Sequence, residues 1–291
     1  MEAASIRAID QTTHFLDSFS STAHKNIKLP SPADIRAINA RSGHVKATNF
    51  NRPPPVQIRK LGLLVKYGGD VTTTEAETQR AVYHALKGRV PIPEVFGWVR
   101  DGGQTFIYME LIEGESLMAR WTGLNETERL GVCRELRAMV ASWRFMMKQD
   151  ERDPYLGSIA KKPLNDILFR DRPHLQGPFF GHTAIADFHT VAGIDIQSSS
   201  IVFTHNDLVP PNILLSHGPN PRVVAIIDWG QSGWYPGYWE YCKARRVKVS
   251  NELMSDELQE EWEKKYLHQI IDREDDETCY YPWLYFFLSI I

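Results

Sequence analysis

Cysteine is scarce in this chain of 291 residues, and the three it has, Cys133, Cys242 and Cys279, stand in neither C-x-x-C nor metal-ligand spacing. An odd, scattered set excludes a disulfide framework or a zinc cluster as the organising device and suits a reducing compartment. Long apolar runs are missing too. The longest, residues 282–291, is half of the ~20 residues that a membrane-spanning helix needs. The N-terminal MEAASIRAIDQTTHFLDSF carries acids and no unbroken apolar stretch, unlike a secretory signal. A cytoplasmic protein is expected, with no membrane partner and with the apolar tail packed as a terminal helix on the core. Excess charge is lacking as well: a net charge of −3 gives no general electrostatic reason to bind nucleic acid. Internal repeats are absent, and the only low-complexity stretch is Arg52-Pro53-Pro54-Pro55.

What is present is an ordinary globular composition, with 43% hydrophobic and 24% charged residues, long enough for one large domain or two modest lobes. Residues 1–30 are polar and weakly periodic, compatible with a loosely docked helix. Ser31 followed by Pro32 reads as a helix start. Residues 56–58 and 61–66 read as strands, the second nearly all apolar up to Lys66 and followed by a Gly68-Gly69-Asp70 turn. Thr74 opens a helical stretch to about Lys87, which Gly88 stops. Residues 95–99 and 105–111 flank Asp101-Gly102-Gly103, strong hairpin chemistry. A long helix is predicted from about Asn125 to Met147. Residues 152–200 give no clear pattern. Two strand-like runs follow, 201–204 and 223–227, and the chain beyond Trp239 reads as helical.

Phosphoryl transfer needs charge offset on the phosphate oxygens, Mg²⁺ held in place and a group that orients the acceptor hydroxyl. In THNDLVPPN, residues 204–212, Asp207 and Asn212 have the separation of the catalytic loop H-R-D-x-x-x-x-N, in which Asp takes the hydroxyl proton and Asn holds a metal. Sixteen residues after Asn212, Asp228 follows the apolar run VVAII, the position of a metal-binding D-F-G aspartate. Oxygen donors of this kind suit Mg²⁺. Lys66, at a strand end, precedes a helix that carries Glu75 and Glu77, so a phosphate-binding lysine and an orienting glutamate can pair. Each residue alone is ordinary; their order and spacing carry the reading.

HNDLVPPNILLS and VVAIIDWGQSGWYP resemble the two signature blocks of the aminoglycoside phosphotransferase and choline kinase family, its fungal members in particular. LGLLVKYGGDVTTTEAETQRAV and FIYMELIEGESL resemble that family's lysine strand with its helix, and its hinge; the likeness covers about residues 50–245. It implies an α+β, bilobal protein-kinase-like fold, with a small β-rich nucleotide-binding lobe, residues 1–111, and a larger, mainly helical catalytic and acceptor-binding lobe, 112–291. By the resemblance ATP or GTP is the nucleotide, Asp207 the catalytic base, Asn212 and Asp228 the Mg²⁺ ligands, Lys66 the phosphate contact and His205 a support of the catalytic loop. It favours Glu75 over Glu77 as the lysine's partner. It also puts the backbone of Glu110 and Ile112 against the adenine edge, with Met109 as gatekeeper. The activity implied is transfer of the γ-phosphoryl group to a hydroxyl of a small molecule.

Two departures stand against the wider kinase pattern. No G-x-G-x-x-G precedes Lys66, so a loop near Ser42-Gly43 or the R-P-P-P segment is left to cover the phosphates. Asn206 replaces the arginine of protein kinases, and no A-P-E follows Asp228, which argues against phosphoregulated protein-kinase activity. A nucleotide-binding pseudo-enzyme or a repurposed fold is the alternative. Trp229, Trp234, Tyr235, Tyr238, Trp239 and Tyr241 crowd around Glu240, either as a cage for a cationic acceptor or, the favoured reading, as core packing. His174, His182, His189 and His217 read as hydrogen-bonded surface or loop residues, since no pair has i, i+4 spacing.

Overall fold

A computed structural model describes residues 13–14, 29–197, 199–246 and 255–290. The chain divides into two compact units, the first of residues 1–80 and 93–112, the second of residues 81–92 and 113–291. Among the described residues no helix is long and apolar enough to cross a membrane.

In the first unit, strands β1 (Thr13–His14), β2 (Val56–Ile58), β3 (Leu63–Gly68), β4 (Val95–Asp101) and β5 (Gln104–Glu110) form an antiparallel sheet in the order β1-β4-β5-β3-β2. Residues 13–14 thus pair as a strand against Trp98 and Gly97 where a helix was expected; most of that expectation lies outside the described residues. Helix α1 (Pro32–Arg41) starts as its sequence demands: Ser31 caps the Asp34 amide, Asp34 returns a bond to the cap, and proline occupies the first turn. Helix α2 (Thr73–Leu86) follows β3.

Strand alternation gives the sheet two apolar faces. Leu63, Val65, Tyr67, Phe106 and Tyr108 pack with Ile35 of α1. Leu64, Ile107 and Met109 pack with Val71 and Ala76 at the start of α2. Lys66 shares the parity of Leu64 and so projects on the α2 side. The end of β3 is closed by the segment before β2: the Gly69 and Asp70 amides donate to the Phe50 and Asn51 carbonyls at 2.9 and 3.2 Å, and Arg52 bonds Asp70 at 2.7 Å. Gly68 has φ +150°, and a Cβ there would lie 2.1 Å from the Asn51 carbonyl oxygen, so the turn requires glycine.

The second unit is mainly helical. Helix α3 (Glu126–Met146) is capped by Asn125 with Glu128 completing the capping box, and buries Val132, Leu136, Val140 and Trp143 along one side. Three small antiparallel sheets frame the loops: β11-β10-β6, β12-β9 and β7-β8, where β6 is Glu115–Ser116, β7 Tyr155–Leu156, β8 Phe179–Phe180, β9 Ile201–Thr204, β10 Ile213–Leu215, β11 Val223–Ile226 and β12 Gly233–Pro236. Between residues 152 and 197 the chain forms short 3-10 turns, β7, β8 and helix α4 (Ala184–Ala192), each too brief to leave a periodic pattern. Helix α5 (Trp239–Arg246) follows β12. Helix α6 (Asp256–Glu261) runs on through a π turn to Ile270, and α7 (Tyr281–Ser289) closes the chain.

The tail packs as expected, for Trp283 and Phe286 are buried against Trp239, with Tyr285 outward. The six crowded aromatics are all buried, and five of them spend their polar N–H or O–H internally: Trp229 on Ile226, Trp234 on Met147, Tyr235 on Gln231, Tyr238 with His189 and Trp239 on Asp166. They are core, not a cation cage. The fold is α+β, with a β-rich first unit and a larger, mainly helical second one.

Candidate active site

In the first unit Lys66 Nζ lies 2.5 Å from Glu75 Oε1, with side chains 28% and 10% exposed. Glu75 sits in the first turn of α2, where its amide bonds Thr72 Oγ1 at 3.2 Å. Of the two glutamates the sequence offered, the structure brings Glu75 to the lysine. Met109, on the same face of the sheet, is buried and its sulfur is 3.7 Å from Gln79 Nε2 of α2. Beyond it, Glu110 donates its backbone N–H to the Glu94 carbonyl at 2.9 Å, while Glu94 returns its own N–H to the Glu110 carboxylate at 3.3 Å. The Leu111 N–H is taken by Gly62 at 2.8 Å, and the next residue, Ile112, is half-buried coil.

In the second unit β9 delivers His205, Asn206 and Asp207, and β10 starts one residue after Asn212. Asn212 donates its side-chain N–H groups to the Asp207 carbonyl and carboxylate at 2.9 and 3.0 Å. Its Oδ1 is therefore the atom it has left for another partner. The Ile227 amide donates to the Asn212 carbonyl at 2.9 Å, which ties the end of β11 to the catalytic loop. Asp228 follows with φ +66° and ψ +55°, a left-handed turn.

His205 joins these two segments. It is fully buried, with Nε2 3.0 Å from the Ile227 carbonyl and Nδ1 3.2 Å from the Asp207 amide. A carbonyl can only accept and an amide N–H can only donate, so Nε2 carries the proton and Nδ1 is bare. Burial holds the imidazole pKa below its ordinary value and keeps it neutral, against the pull of Glu240 and Asp228. Trp229 meets the ring edge-on at 4.5 Å. Burial raises the Asp207 carboxyl above the usual range; the Lys243 ammonium opposes this, and the Asp228 carboxylate adds to it.

Sequence reasoning missed Asp166, Gln231 and Lys243, which lie beneath Asn206, and weighed Glu240 only as part of a cation cage, where it accepts from the Asn206 amide. Asp166 lies in the stretch without pattern. The signal for the other charges was their place inside an aromatic run, since Glu240 and Lys243 in W-E-Y-C-K are 1% and 6% exposed. Among the described residues no cluster of three His, Cys, Asp or Glu could hold a metal.

Over residues 63–280 the sequence matches the profile of the phosphotransferase enzyme family, APH. The chain belongs to this family. No curated protein matches it. Among solved structures it is similar to aminoglycoside phosphotransferase APH(3'')-Id from Streptomyces rimosus, at 14% identity and TM-score 0.49 over 81% of this chain and 91% of that one. It is also similar to a thermostable mutant of APH(4)-Ia in complex with AMP-PNP and hygromycin B, at 14% identity and TM-score 0.48 over 89% and 88%. Aminoglycoside-3'-phosphotransferase of type VIII gives 20% and 0.47 over 77% and 84%. So distant a likeness says nothing of what this phosphotransferase-family chain itself binds.

Proposed function

We propose that this member of the phosphotransferase family is an ATP- and Mg²⁺-dependent kinase that moves the γ-phosphoryl group to a hydroxyl of a small molecule. The observation that carries the reading is the tie between Asp207 and Asn212, joined through neutral His205 to the carbonyl that precedes Asp228. A solvated turn needs no such buried brace.

The donor set fits a hard cation. Asn212 has committed its N–H groups and keeps a carbonyl oxygen, and Asp228 adds a carboxylate, so Asn212 and Asp228 would hold Mg²⁺. When bound, the ion offsets charge on the phosphate oxygens. In this reading the first unit is the nucleotide lobe, with Lys66 on the phosphates and Glu75 fixing the lysine. The Glu110 carbonyl and the Ile112 N–H serve the adenine edge beside Met109; the Glu110 amide is already taken by Glu94. Asp207 accepts the hydroxyl proton as the acceptor oxygen bonds the γ-phosphorus and the bond to the β-phosphate oxygen breaks, leaving ADP. The test is incubation with ATP and Mg²⁺ across amino sugars, amino alcohols and other hydroxyl metabolites. ADP together with an acceptor that has gained a phosphoryl group is expected; ATP binding without transfer across the whole range would favour a pseudo-enzyme.

A further inference from the structure

Beneath Asn206 lies a polar cluster that the transfer chemistry itself does not use. Asp166 and Lys243 have side chains 0% and 8% exposed, and the ammonium meets Oδ1 at 2.8 Å. The same carboxylate accepts from the Leu168 amide at 2.9 Å, the Asn206 side chain at 2.8 Å and the Trp239 indole at 3.0 Å. Lys243 also donates to Gln231 Oε1 at 2.7 Å. The Gln231 backbone carbonyl receives Asn206 Nδ2 as well, at 3.2 Å, and the Asn206 amide donates to Glu240 Oε1 at 2.9 Å. The N–H groups of Asn206 are thus spent on three separate segments of chain. That residue has φ +67°, a conformation L side chains rarely adopt, and it immediately precedes Asp207.

Burying a charge pair gains little over apolar groups of the same shape, because desolvation offsets the attraction. What a buried, multiply bonded pair does well is hold its neighbours in one arrangement. We infer that Asp166 and Lys243 are positioning residues of the catalytic loop: through Asn206 they hold the left-handed turn that sets the Asp207 carboxylate beside Asn212. This rests on the reading of Asp207 as the base. A structural strut would move stability alone, whereas a positioning pair moves turnover while nucleotide binding stays.

Two substitutions and their combination test it. Asp166→Asn turns one accepting oxygen into a donor facing donors. Asn206→Ala cuts the side-chain ties to Asp166 and Gln231, keeps the backbone bond to Glu240 and leaves the ion pair whole, so it decides the matter alone should Asp166→Asn fail to fold. Turnover is read as ADP formed from MgATP in the presence of the mixed acceptors, affinity by calorimetry with MgATP, and loop order by hydrogen exchange of the peptide spanning residues 203–212. Each single variant is expected to lose about 10²-fold in turnover with MgATP affinity unchanged. The double variant should lose no more than the worse single one, because both act through one contact, and exchange should rise in the loop peptide only. Wild-type turnover in folded Asn206→Ala, additive losses, or exchange rising throughout the second unit would overturn the inference. If the wild-type chain forms no ADP, the kinase reading has failed, and the exchange result alone then judges the positioning role: a local rise sustains it and a uniform rise sinks it.

Discussion

Lys66 and Glu75 are a partly buried pair on a strand and the helix that follows it, and removing the lysine charge separates its two possible roles. Lys66→Ala is expected to fold and to lose about 10- to 100-fold in ATP affinity or turnover, the size of a charge-assisted contact to phosphate. A solvated lysine would leave both unchanged in a calorimetric titration and a coupled ADP assay. The residues proposed for phosphoryl transfer were legible because chemistry fixes both their type and their order: Asp207 and Asp228 each come just after an apolar strand, and Asn212 stands five residues after Asp207. Asp166 was not legible. Its partners, Asn206, Trp239 and Lys243, come from 40 to 77 positions away, and no local pattern encodes a contact of that separation.

Elements that carry their own punctuation could be read in advance. The cap at Ser31, the Asp101-Gly102-Gly103 hairpin and the capped helix α3 lie where propensity puts them, within a few residues. Strands β10 and β12 were not read, since β12 runs from Gly233 to Pro236, residue types depleted in strands, and both strands exist by pairing with β11 and β9. The glycine turn after Lys66 gives a test at this scale. Gly68→Ala places a methyl against the Asn51 carbonyl in a strained backbone, so a loss of about 1–3 kcal/mol is expected in urea unfolding. An unchanged midpoint would mean that the segment before β2 does not close on this turn. A second test follows from His205 and from His189, which was expected at the surface or in a loop but is buried in α4; both are held below the ordinary imidazole value. As pH falls below about 6.5, the unfolded chain takes up protons that the folded imidazoles do not, so stability declines toward the folded pKa values. Thermal melts from pH 7.5 down to 5.5, in steps of roughly half a unit chosen to span that imidazole value, should show the decline, and His189→Gln should lessen it, leaving the part due to His205. A slope that His189→Gln leaves unaltered would deny burial of that neutral ring.

At the scale of the whole molecule, the succession of strands, one helix, more strands and then a long helix announced an α+β chain. The core of the second unit was ambiguous, because buried tryptophans and a cation cage share one composition and only burial separates them. The proposed function allows a ligand test that needs no acceptor. ATP with Mg²⁺ should raise the melting temperature, a hundredfold excess over Kd contributing about 2.7 kcal/mol, and Asp228→Ala should remove the Mg²⁺-dependent part. A shift that survives Asp228→Ala would reassign the metal site. The central claim, that Asp207 acts on the acceptor hydroxyl, is tested most directly by Asp207→Asn, which keeps the shape and removes the carboxylate. With ATP affinity from calorimetry and phosphorylated acceptor from mass spectrometry, the account expects transfer to fall by about 10²–10⁴-fold while ATP affinity changes far less. Transfer at the wild-type rate would contradict it.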